Sequence, residues 1–347
     1  MTSVDDPFGA VRDPRLPSLR LALNPNEVEH RFKRRLPRLA GDDGIVRVRE
    51  IRVVRHKPGR RCLVEYGVVV ERHEQHLRHE RLLGKVRAER FGKAGYNLAD
   101  SLWRAGFTDE SSDGISVPEP IATVADFRMW LQRKMPGCPA TGLLAGPDAP
   151  RLAGRIAAAA HKLHEAGVPA AHRHTIGDEL RILDRCLEQV AAEHPRFETR
   201  IARLRTACER LAMRIPDAPP RPIHRDFYAD QVIVDGERLY LVDLDLYCEG
   251  DRALDIGNFL GHLTEQALRV FGDPTALGAA EDELEERFCE LAGEGVRSAV
   301  QAYATLTLAR HIYLSTVLAE RRMLTAPLLG LCEERLLVSP RRRSAAV

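Results

Sequence analysis

The spacing of hydrophobic and polar residues changes near the middle of the chain. From Val46 to Val86, runs of β-branched residues are separated by the turn-forming segment KPGRR and by the charged segment RHEQHLRHE. This pattern predicts an antiparallel β-meander. A helix is predicted over residues 94–107, and two short β runs follow it. The Pro136-Gly137 pair after those runs predicts a boundary between two lobes.

Beyond that boundary the spacing is mainly helical. Apolar residues form one stripe along RLAGRIAAAAHKLHEAGV, and helical spacing continues over residues 178–214 and from about Leu254 to Leu337. Between these stretches, QVIVDG and ERLYLVDLDL predict a two-strand hairpin that turns at Asp235-Gly236. The sequence therefore predicts an α+β protein with a β-rich N-terminal lobe and a mainly helical C-terminal lobe. Residues 1–45 are predicted to be a Pro-rich leader with one helix near Asn26.

Composition restricts the class of protein further. The chain has 347 residues, of which 44% are hydrophobic and 29% charged, as is typical of a folded globular protein. Its formal net charge of +2 supplies no large field for binding nucleic acid or an anionic membrane. The cysteines are odd in number and include no C-x-x-C pair, which argues against a zinc site or a disulfide framework. With neither a signal peptide nor a long apolar run, the sequence predicts a soluble, cytoplasmic protein.

Candidate chemistry is concentrated in residues 223–246, IHRDFYADQVIVDGERLYLVDLDL. Asp226 and Gln231 are predicted on the loop entering the first hairpin strand. Asp243 and Asp245 are predicted on one face of the second strand, because alternate residues of a strand share a face. Desolvating two unpaired carboxylates in an apolar strand would cost roughly several kcal/mol, which a bound cation would offset. Taken singly, each residue can also be a turn cap, a strand end or an ion-pair partner.

A cation at this position would suit a particular reaction. Mg²⁺ prefers oxygen ligands, and it usually combines one or two carboxylates with water and phosphate. Phosphoryl transfer from a nucleotide requires such a metal, a carboxylate that orients and deprotonates a hydroxyl, and a lysine on the nucleotide. The segment therefore favours phosphoryl transfer.

Two motifs in this segment resemble those of a known family. HRDFYADQ resembles the catalytic loop H-x-D-x-x-x-x-N of the aminoglycoside phosphotransferase and choline kinase family, distant relatives of protein kinases. LVDLD and the following GDRALDIGNFL resemble its metal-binding strand and the next helix. The resemblance covers roughly residues 46–265. It implies a protein-kinase-like fold, with a nucleotide-binding lobe at residues 46–135 and a catalytic and acceptor-binding lobe at residues 136–347.

The same resemblance implies roles for individual residues. Asp226 would be the catalytic base, and Asp243 would hold the metal that bridges the β- and γ-phosphates. Gln231 would take the second metal position, where the family usually has Asn, and Asp245 is a further candidate ligand. Three residues would support the catalytic loop: His224, Arg225 and Asp255. Arg225 could pair with Asp245 or Asp251, or face solvent.

In the N-terminal lobe the resemblance implies a set of nucleotide-binding residues. Lys85 would be the family's third-strand lysine and would pair with Asp100 of the following helix, although an exposed strand lysine is the ordinary alternative. Gly59, in KPGRR, would let the backbone approach a phosphate. The segment WLQRKMPG resembles a family hinge, which makes Gln132 and Lys134 candidate nucleotide contacts.

The resulting hypothesis is an ATP- and Mg²⁺-dependent kinase that phosphorylates a hydroxyl of an aminoglycoside, sugar or amino-alcohol acceptor. A protein kinase is disfavoured because the chain has no G-x-G-x-x-G, has VDLD where D-F-G would lie, and has no A-P-E beyond it. A nucleotide-binding module without turnover is the other alternative, suggested by Gln231. The histidines His73, His76 and His79 have acceptable metal-ligand spacing, but a solvated hairpin loop is the favoured interpretation.

Overall fold

The structure is a computed structural model, and it describes residues 2–41, 44–71, 77–88 and 93–337. The strands are β1 (Ser3–Asp5), β2 (Ile45–Lys57), β3 (Arg61–Glu71), β4 (Leu77–Arg87), β5 (Ile115–Ser116), β6 (Pro120–Val124), β7 (Met129–Arg133), β8 (Cys138–Pro139), β9 (Arg221–Ile223), β10 (Val232–Asp235), β11 (Arg238–Leu241) and β12 (Cys248–Gly250). The helices are α1 (Leu19–Ala22), α2 (Pro25–Arg35), α3 (Pro37–Ala40), α4 (Lys93–Arg104), α5 (Ala140–Leu143), α6 (Ala149–His164), α7 (Ile176–Glu193), α8 (Glu198–Ala212), α9 (Ala253–Phe271), α10 (Gly278–Ala292), α11 (Arg297–Val317) and α12 (Thr325–Leu337).

The chain divides into two compact units. The N-terminal unit consists of Met1–Gly137 and Asp235–Val242, and the C-terminal unit of Cys138–Val234 and Asp243–Val347. Residues 235–242, which contain β11, thus belong to the N-terminal unit, whereas the sequence placed the whole hairpin in the second lobe. Within the N-terminal unit β11 pairs in parallel with β5, and within the C-terminal unit β10 pairs with β8.

The N-terminal unit is built on a six-stranded sheet in the order β1-β2-β3-β4-β7-β6. Strands β2, β3 and β4 form the predicted antiparallel meander, and β7 joins it so that Lys85 of β4 lies opposite Trp130. The third strand begins at Leu77, earlier than predicted, because the charged residues before Arg81 pair with β3 as far as Glu71. The charges of that segment are therefore compatible with an exposed end of the strand.

The segment before residue 45 is more structured than the predicted leader with one helix. It contains β1, which pairs in parallel with β2, and α1 to α3. The helix predicted near Asn26 is α2, but its N-cap is Asn24, whose side chain accepts the backbone N–H of Asn26 and of Glu27. The ring of Phe32 packs edge-on against Tyr66 at 5.1 Å, and the Tyr66 hydroxyl donates to Ala22 O. The segment therefore completes the core on the sheet.

The C-terminal unit is helical, as predicted. Helix α9 is buried on nearly all sides and packs against α11. Gly257 and Gly261 of α9 allow this close approach, since a Cβ at Gly257 would lie 2.7 Å from Val300 O and a Cβ at Gly261 would lie 2.9 Å from Ala304 O, both in α11. Helix α9 therefore fixes the residues at its own N-terminal end, where the candidate site lies. None of the helices in the described ranges is both apolar and long enough to cross a lipid bilayer.

The second hairpin strand is shorter than predicted. It ends at Leu241, and Asp243 adopts a left-handed conformation (φ 57°) that begins a 3₁₀ turn at Leu244–Leu246. Asp243 and Asp245 therefore do not share one face of a strand, and that prediction is wrong. A left-handed residue interrupts the extended backbone on which alternation depends, and Asp tolerates this conformation better than most residues.

Candidate active site

Asp255, the third residue of α9, holds the loop from His224 to Tyr228 in place. The carboxylate of Asp255 is fully buried and accepts the backbone N–H of His224 (2.8 Å) and of Arg225 (2.7 Å). The same carboxylate lies 2.9 Å from Nε2 of the buried His164. Hydrogen bonds to an ionised acceptor are stronger than neutral ones, so this contact set fixes the backbone beside Asp226.

A second contact from α9 holds the other side of the loop. The Asn258 side chain donates to the carbonyl of Phe227 (2.9 Å), and its Oδ1 accepts from Nη2 of Arg310 (2.8 Å). Asn258 is buried, and Phe227 packs against Phe259 with ring centroids 5.2 Å apart. The residues on both sides of Asp226 are therefore fixed by α9, and through Asn258 the loop is linked to α11.

Arg225 has a left-handed backbone (φ 71°), which is uncommon for a residue other than glycine. Its side chain is half-buried. Burial raises the pKa of Glu179, but His174, Arg310 and, to a smaller extent, Arg225 lower it below its ordinary value. Strained conformations of this kind persist where surrounding contacts determine them, here the bond to Asp255. Each such backbone conformation costs about 1–3 kcal/mol. The two that concern the predicted site, at Arg225 and Asp243, lie near its two ends along the chain.

Tyr228 shows how the predicted ligands are arranged. Burial raises the pKa of its phenol, and the carboxylates of Asp226, Asp230 and Asp243 raise it further, while a hydrogen bond from the Gln231 side chain lowers it. Asp226, Gln231 and Asp243 therefore all lie near this phenol. Asp245 is half-buried in the adjacent 3₁₀ turn.

The chemistry of these donors suits a hard divalent cation. No group of three or more His, Cys, Asp and Glu side chains with metal-binding geometry occurs within the described residues. Two carboxylates and one amide oxygen are instead the partial set that Mg²⁺ uses together with phosphate and water. Gln231 is buried, and a Gln that donates through its NH₂ to Tyr228 keeps its carbonyl oxygen for another partner.

A cavity of about 380 Å³ within the C-terminal unit has Asp226 in its wall. Six charged side chains line it: Asp226, Asp230, Glu265, Arg269, Arg310 and Arg321. The rings of Tyr228 and His262 also line it, stacked with their centroids 4.5 Å apart. A space of this size accommodates a small polar molecule next to Asp226.

Two histidines, His262 in the cavity wall and His311 packed against it, have lowered pKa values. His262 packs edge-on against His311 with centroids 4.4 Å apart. Burial is the main cause that lowers the pKa of both, and nearby guanidinium groups contribute, with His311 also lowering that of His262. The pKa of His311 is lowered to about 3. Nε2 of His262 is buried and has no hydrogen-bond partner within the part of the chain that the structure describes.

The predicted nucleotide residues lie in the N-terminal unit. Lys85 is half-buried on β4, and its Nζ lies 5.3 Å from the centre of the Trp130 ring. Asp100, the predicted partner of Lys85, forms ion pairs with Arg38 (2.8 Å) and Arg104 (2.9 Å). The pairing of Asp100 with Lys85 stays a prediction.

The turn and hinge residues have partners of their own. The backbone N–H of Gly59, which has a left-handed φ of 67°, donates to Asp13 (2.7 Å). Gln132 is buried on β7, and Lys134 Nζ lies 2.8 Å from the carboxylate of the buried Glu65. Their roles toward a nucleotide stay predictions. Of the histidine run, His79 lies in β4, while His73 and His76 lie outside the described residues.

Sequence reasoning missed several residues of the cavity. Tyr228 lies within the motif HRDFYADQ, but its aromatic side chain carried no signal beyond core packing. His262, Arg310 and Arg321 lie on α9, on α11 and in the turn after α11, far from the motif along the chain. Only helix packing brings them to the cavity. The sequence offered one indication of the cavity: helical spacing places His262 on the same face of α9 as Asp255 and Asn258.

Comparison with known proteins establishes the family. The model of the family described as phosphotransferase enzyme family matches residues 96–289, more than half of the chain. The chain belongs to this family, as the motifs predicted. No curated protein matches it.

Solved structures confirm the kinase-like fold. A choline/ethanolamine kinase family protein from Mesorhizobium loti is 16% identical, with a TM-score of 0.54, covering 91% of this chain and 95% of that one. A glucosamine kinase in complex with glucosamine, ADP and inorganic phosphate is 17% identical, with a TM-score of 0.52, covering 87% and 83%. The aminoglycoside phosphotransferase APH(4)-Ia is 15% identical, with a TM-score of 0.53, covering 86% and 95%.

These comparisons settle the class of protein. The chain has the fold of the small-molecule kinases of its family. Membership of this family makes it a phosphotransferase. The prediction of an enzyme of this class is confirmed.

Proposed function

We propose that the protein transfers the γ-phosphate of ATP to a hydroxyl of a small aminoglycoside, sugar or amino-alcohol acceptor, with Mg²⁺ as the metal. One observation carries this proposal: Asp226 lies both on the loop that Asp255 holds and in the wall of a cavity of about 380 Å³. A carboxylate fixed beside a small-molecule cavity can orient a bound hydroxyl and accept its proton.

The roles of the other polar residues follow from their chemistry. Asp243 would bind Mg²⁺, Gln231 would supply an amide oxygen to a second metal position, and Asp245 is a further candidate ligand. When bound, the metal supplies charge neutralisation for the transferred phosphoryl group. His224, Arg225 and Asp255 would keep the loop in position, since a small displacement of a reacting group lowers the rate strongly.

The nucleotide would be bound by the N-terminal unit. Lys85 is half-buried on β4. Its ammonium would bind the phosphates as a point charge. Gly59, Asp100, Gln132 and Lys134 are the other proposed contributors. The glucosamine kinase complex contains ADP, which supports ATP as the donor for this fold.

A nucleotide-binding module without turnover is the second candidate. It is favoured by two observations: Gln231 replaces the family's Asn, and the Gly59 N–H already donates to Asp13. Such a module would bind Mg-ATP without acceptor-dependent release of ADP.

The test is ADP release from Mg-ATP with panels of aminoglycosides, sugars and amino alcohols. Asp226→Asn should lower acceptor-dependent turnover by about 10²–10⁴-fold while Mg-ATP still binds, because only the proton acceptor is removed. Asp230→Asn is the matched control, since Asp230 lines the same cavity but is exposed and accepts a hydrogen bond from the Thr141 hydroxyl. Asp243→Ala should weaken Mg-ATP binding.

Three results would count against the proposal. Stabilisation by Mg-ATP with no turnover on any panel would favour the binding module. Equal turnover in Asp226→Asn and wild type would remove Asp226 from the reaction. Phosphorylation of a generic protein substrate, with none of the small acceptors, would identify a protein kinase.

A further inference from the structure

The charges in the cavity wall are separated into two ends. Burial is the main cause that raises the pKa of the Tyr228 phenol, and the carboxylates of Asp226 and Asp230 raise it further. Burial is the main cause that lowers the pKa of the His262 imidazole. His311 is the next cause, and the guanidinium groups of Arg310 and Arg321 lower it further. These two rings are stacked with centroids 4.5 Å apart. We call the wall around Tyr228 the carboxylate end of the cavity and the wall around His262 the guanidinium end.

The guanidinium end is only partly neutralised. Glu265 is almost fully buried and is shared by two arginines, Arg269 at 3.0 Å and Arg321 at 3.3 Å. Arg310 lies 3.6 Å from Glu179, and its other contact, Asn258, is neutral. Within the described residues, three guanidinium groups thus have ion pairs to two carboxylates at this end. The neutral His262 and His311 add no charge at physiological pH.

Arg310 and Arg321 remain accessible in the cavity. Their side chains are 22% and 25% exposed, and both line the cavity. A guanidinium has five N–H donors in a fixed fork, so one contact with Asn258 or Glu265 leaves donors for a ligand. The fork matches a carboxylate in a bidentate arrangement.

We propose that the acceptor carries a carboxylate in addition to its hydroxyl, and that Arg310 and Arg321 bind that carboxylate. This inference rests on the proposed kinase function and narrows its acceptor to an amino alcohol or amino sugar with an acid group. The three carboxylates and three guanidiniums of the wall give no net charge, which suits a zwitterion better than a polycation.

The experiment compares acceptors that differ by one carboxylate. The pairs are L-serine with ethanolamine, L-homoserine with 3-aminopropan-1-ol, and muramic acid with 3-O-ethylglucosamine. For each pair, kcat/KM is measured with Mg-ATP by ADP release in the full chain. We expect the acid of at least one pair to exceed its partner by about tenfold or more, the difference that one charge-assisted bidentate contact supplies.

Variants connect the preference to the arginine. Arg321→Gln should reduce the ratio of acid to partner by about tenfold, and Arg321→Lys should reduce it less, because it keeps the charge but loses the fork. Arg322→Gln, at the exposed neighbouring position outside the cavity, is the matched control and should keep the wild-type ratio. Thermal melting of each variant shows whether it is folded, since Arg269 still pairs with Glu265 in Arg321→Gln.

The outcomes separate this inference from the proposed function. Turnover that is equal or faster with the partner lacking the carboxylate would overturn the inference and leave the kinase function standing. An increased KM for Mg-ATP in Arg321→Gln with an unchanged ratio would also overturn it, since the arginine would then serve the nucleotide. If no acceptor in any panel releases ADP, direct titration of the three acids decides: binding that Arg321→Gln weakens supports the inference, and no binding overturns it.

Discussion

The carboxylate of Asp13 accepts the backbone N–H of Gly59 at 2.7 Å, and it lies 2.8 Å from Nε2 of His56. Asp13 precedes α1, whereas Gly59 is in the turn between β2 and β3, so the N-terminal segment holds this turn in place. The Asp13 side chain is 4% exposed. The resemblance implied that the backbone at Gly59 approaches a phosphate. The Gly59 N–H already donates to a carboxylate of the same unit.

Asp13→Asn should destabilise the protein at neutral pH and have little effect in acid. Burial raises the pKa of Asp13, but hydrogen bonds from Gly59, His56 and Arg15 outweigh burial and hold it below its ordinary value of 3.8. The carboxylate therefore stabilises the fold above about that pH, and the contribution is lost as the pH falls through the lower folded-state pKa. We expect a loss of about 1–3 kcal/mol in the free energy of unfolding at pH 7.

Urea unfolding of both proteins at several pH values measures this difference. Asp5→Asn is the control, because Asp5 forms an exposed ion pair with Arg52 and should change stability by less than about 0.5 kcal/mol. A difference between Asp13→Asn and wild type that does not shrink in acid would contradict the assignment to the ionised carboxylate.

Asp255→Asn should impair turnover more than substrate binding. The side-chain amide of Asn cannot accept at both of its terminal atoms, so at least one of the N–H donors of His224, Arg225 and His164 is left unpaired. The loop beside Asp226 would then shift, and we expect kcat to fall by about 10²-fold, with a smaller change in the KM for ATP. Steady-state kinetics test this, with the exposed Asp273→Asn as control. An unchanged kcat would show that the loop does not depend on Asp255.

The fold was predictable where one local pattern decides it. The β-branched runs gave β2, β3 and β4 because their side chains are buried within one sheet, and the apolar stripes gave α6 to α12 in the same way. The pattern failed at VDLDL, whose alternation continues past Leu241 although Asp243 turns the backbone out of the strand. It also failed before residue 45, where Leu16 and Leu19 are buried in the same hydrophobic core as residues of the sheet.

The candidate site was predictable to the extent that its residues lie in one motif. Asp226, Gln231 and Asp243 lie close together in the sequence, and the chemistry of phosphoryl transfer requires their side chains together. Arg310 and Arg321 could not be found in this way. Their place in the cavity depends on how α11 and the turn after it pack against α9, and nothing in their own neighbourhoods distinguishes them from surface arginines.

Gly257→Ala should lower the free energy of unfolding, although alanine favours helices. The added Cβ would lie 2.7 Å from Val300 O and 2.8 Å from Ala304 N, which are backbone atoms of α11 and cannot move aside easily. We expect a loss of about 1–3 kcal/mol from overpacking. Gly330→Ala in α12 is the matched control, because no atom lies within 4 Å of its added Cβ, and it should gain about 0.4–1 kcal/mol. Thermal or urea unfolding decides, and equal effects at the two glycines would contradict the packing of α9 on α11.

The buried imidazole of His311 should make the protein less stable as the pH falls. Burial and then the guanidiniums of Arg310, Arg321 and Arg269 lower its pKa from 6.5 to about 3. The unfolded chain thus binds a proton below pH 6.5 that the folded chain does not bind until about pH 3. Stability is therefore complete above the unfolded pKa and decreases between these values, at up to about 1.4 kcal/mol per pH unit for one group.

His311→Gln removes this titration while keeping a polar side chain. Because the variant cannot bind the proton in either state, its free energy of unfolding should decrease less steeply between pH 6 and pH 4.5, by about 1 kcal/mol per pH unit. The control is His172→Gln, which makes the same substitution at an exposed position. Urea unfolding across this range measures both slopes. If His311→Gln and wild type lose stability in parallel, the imidazole is protonated in the folded protein, and the guanidinium end of the cavity carries more positive charge than its arginines alone supply.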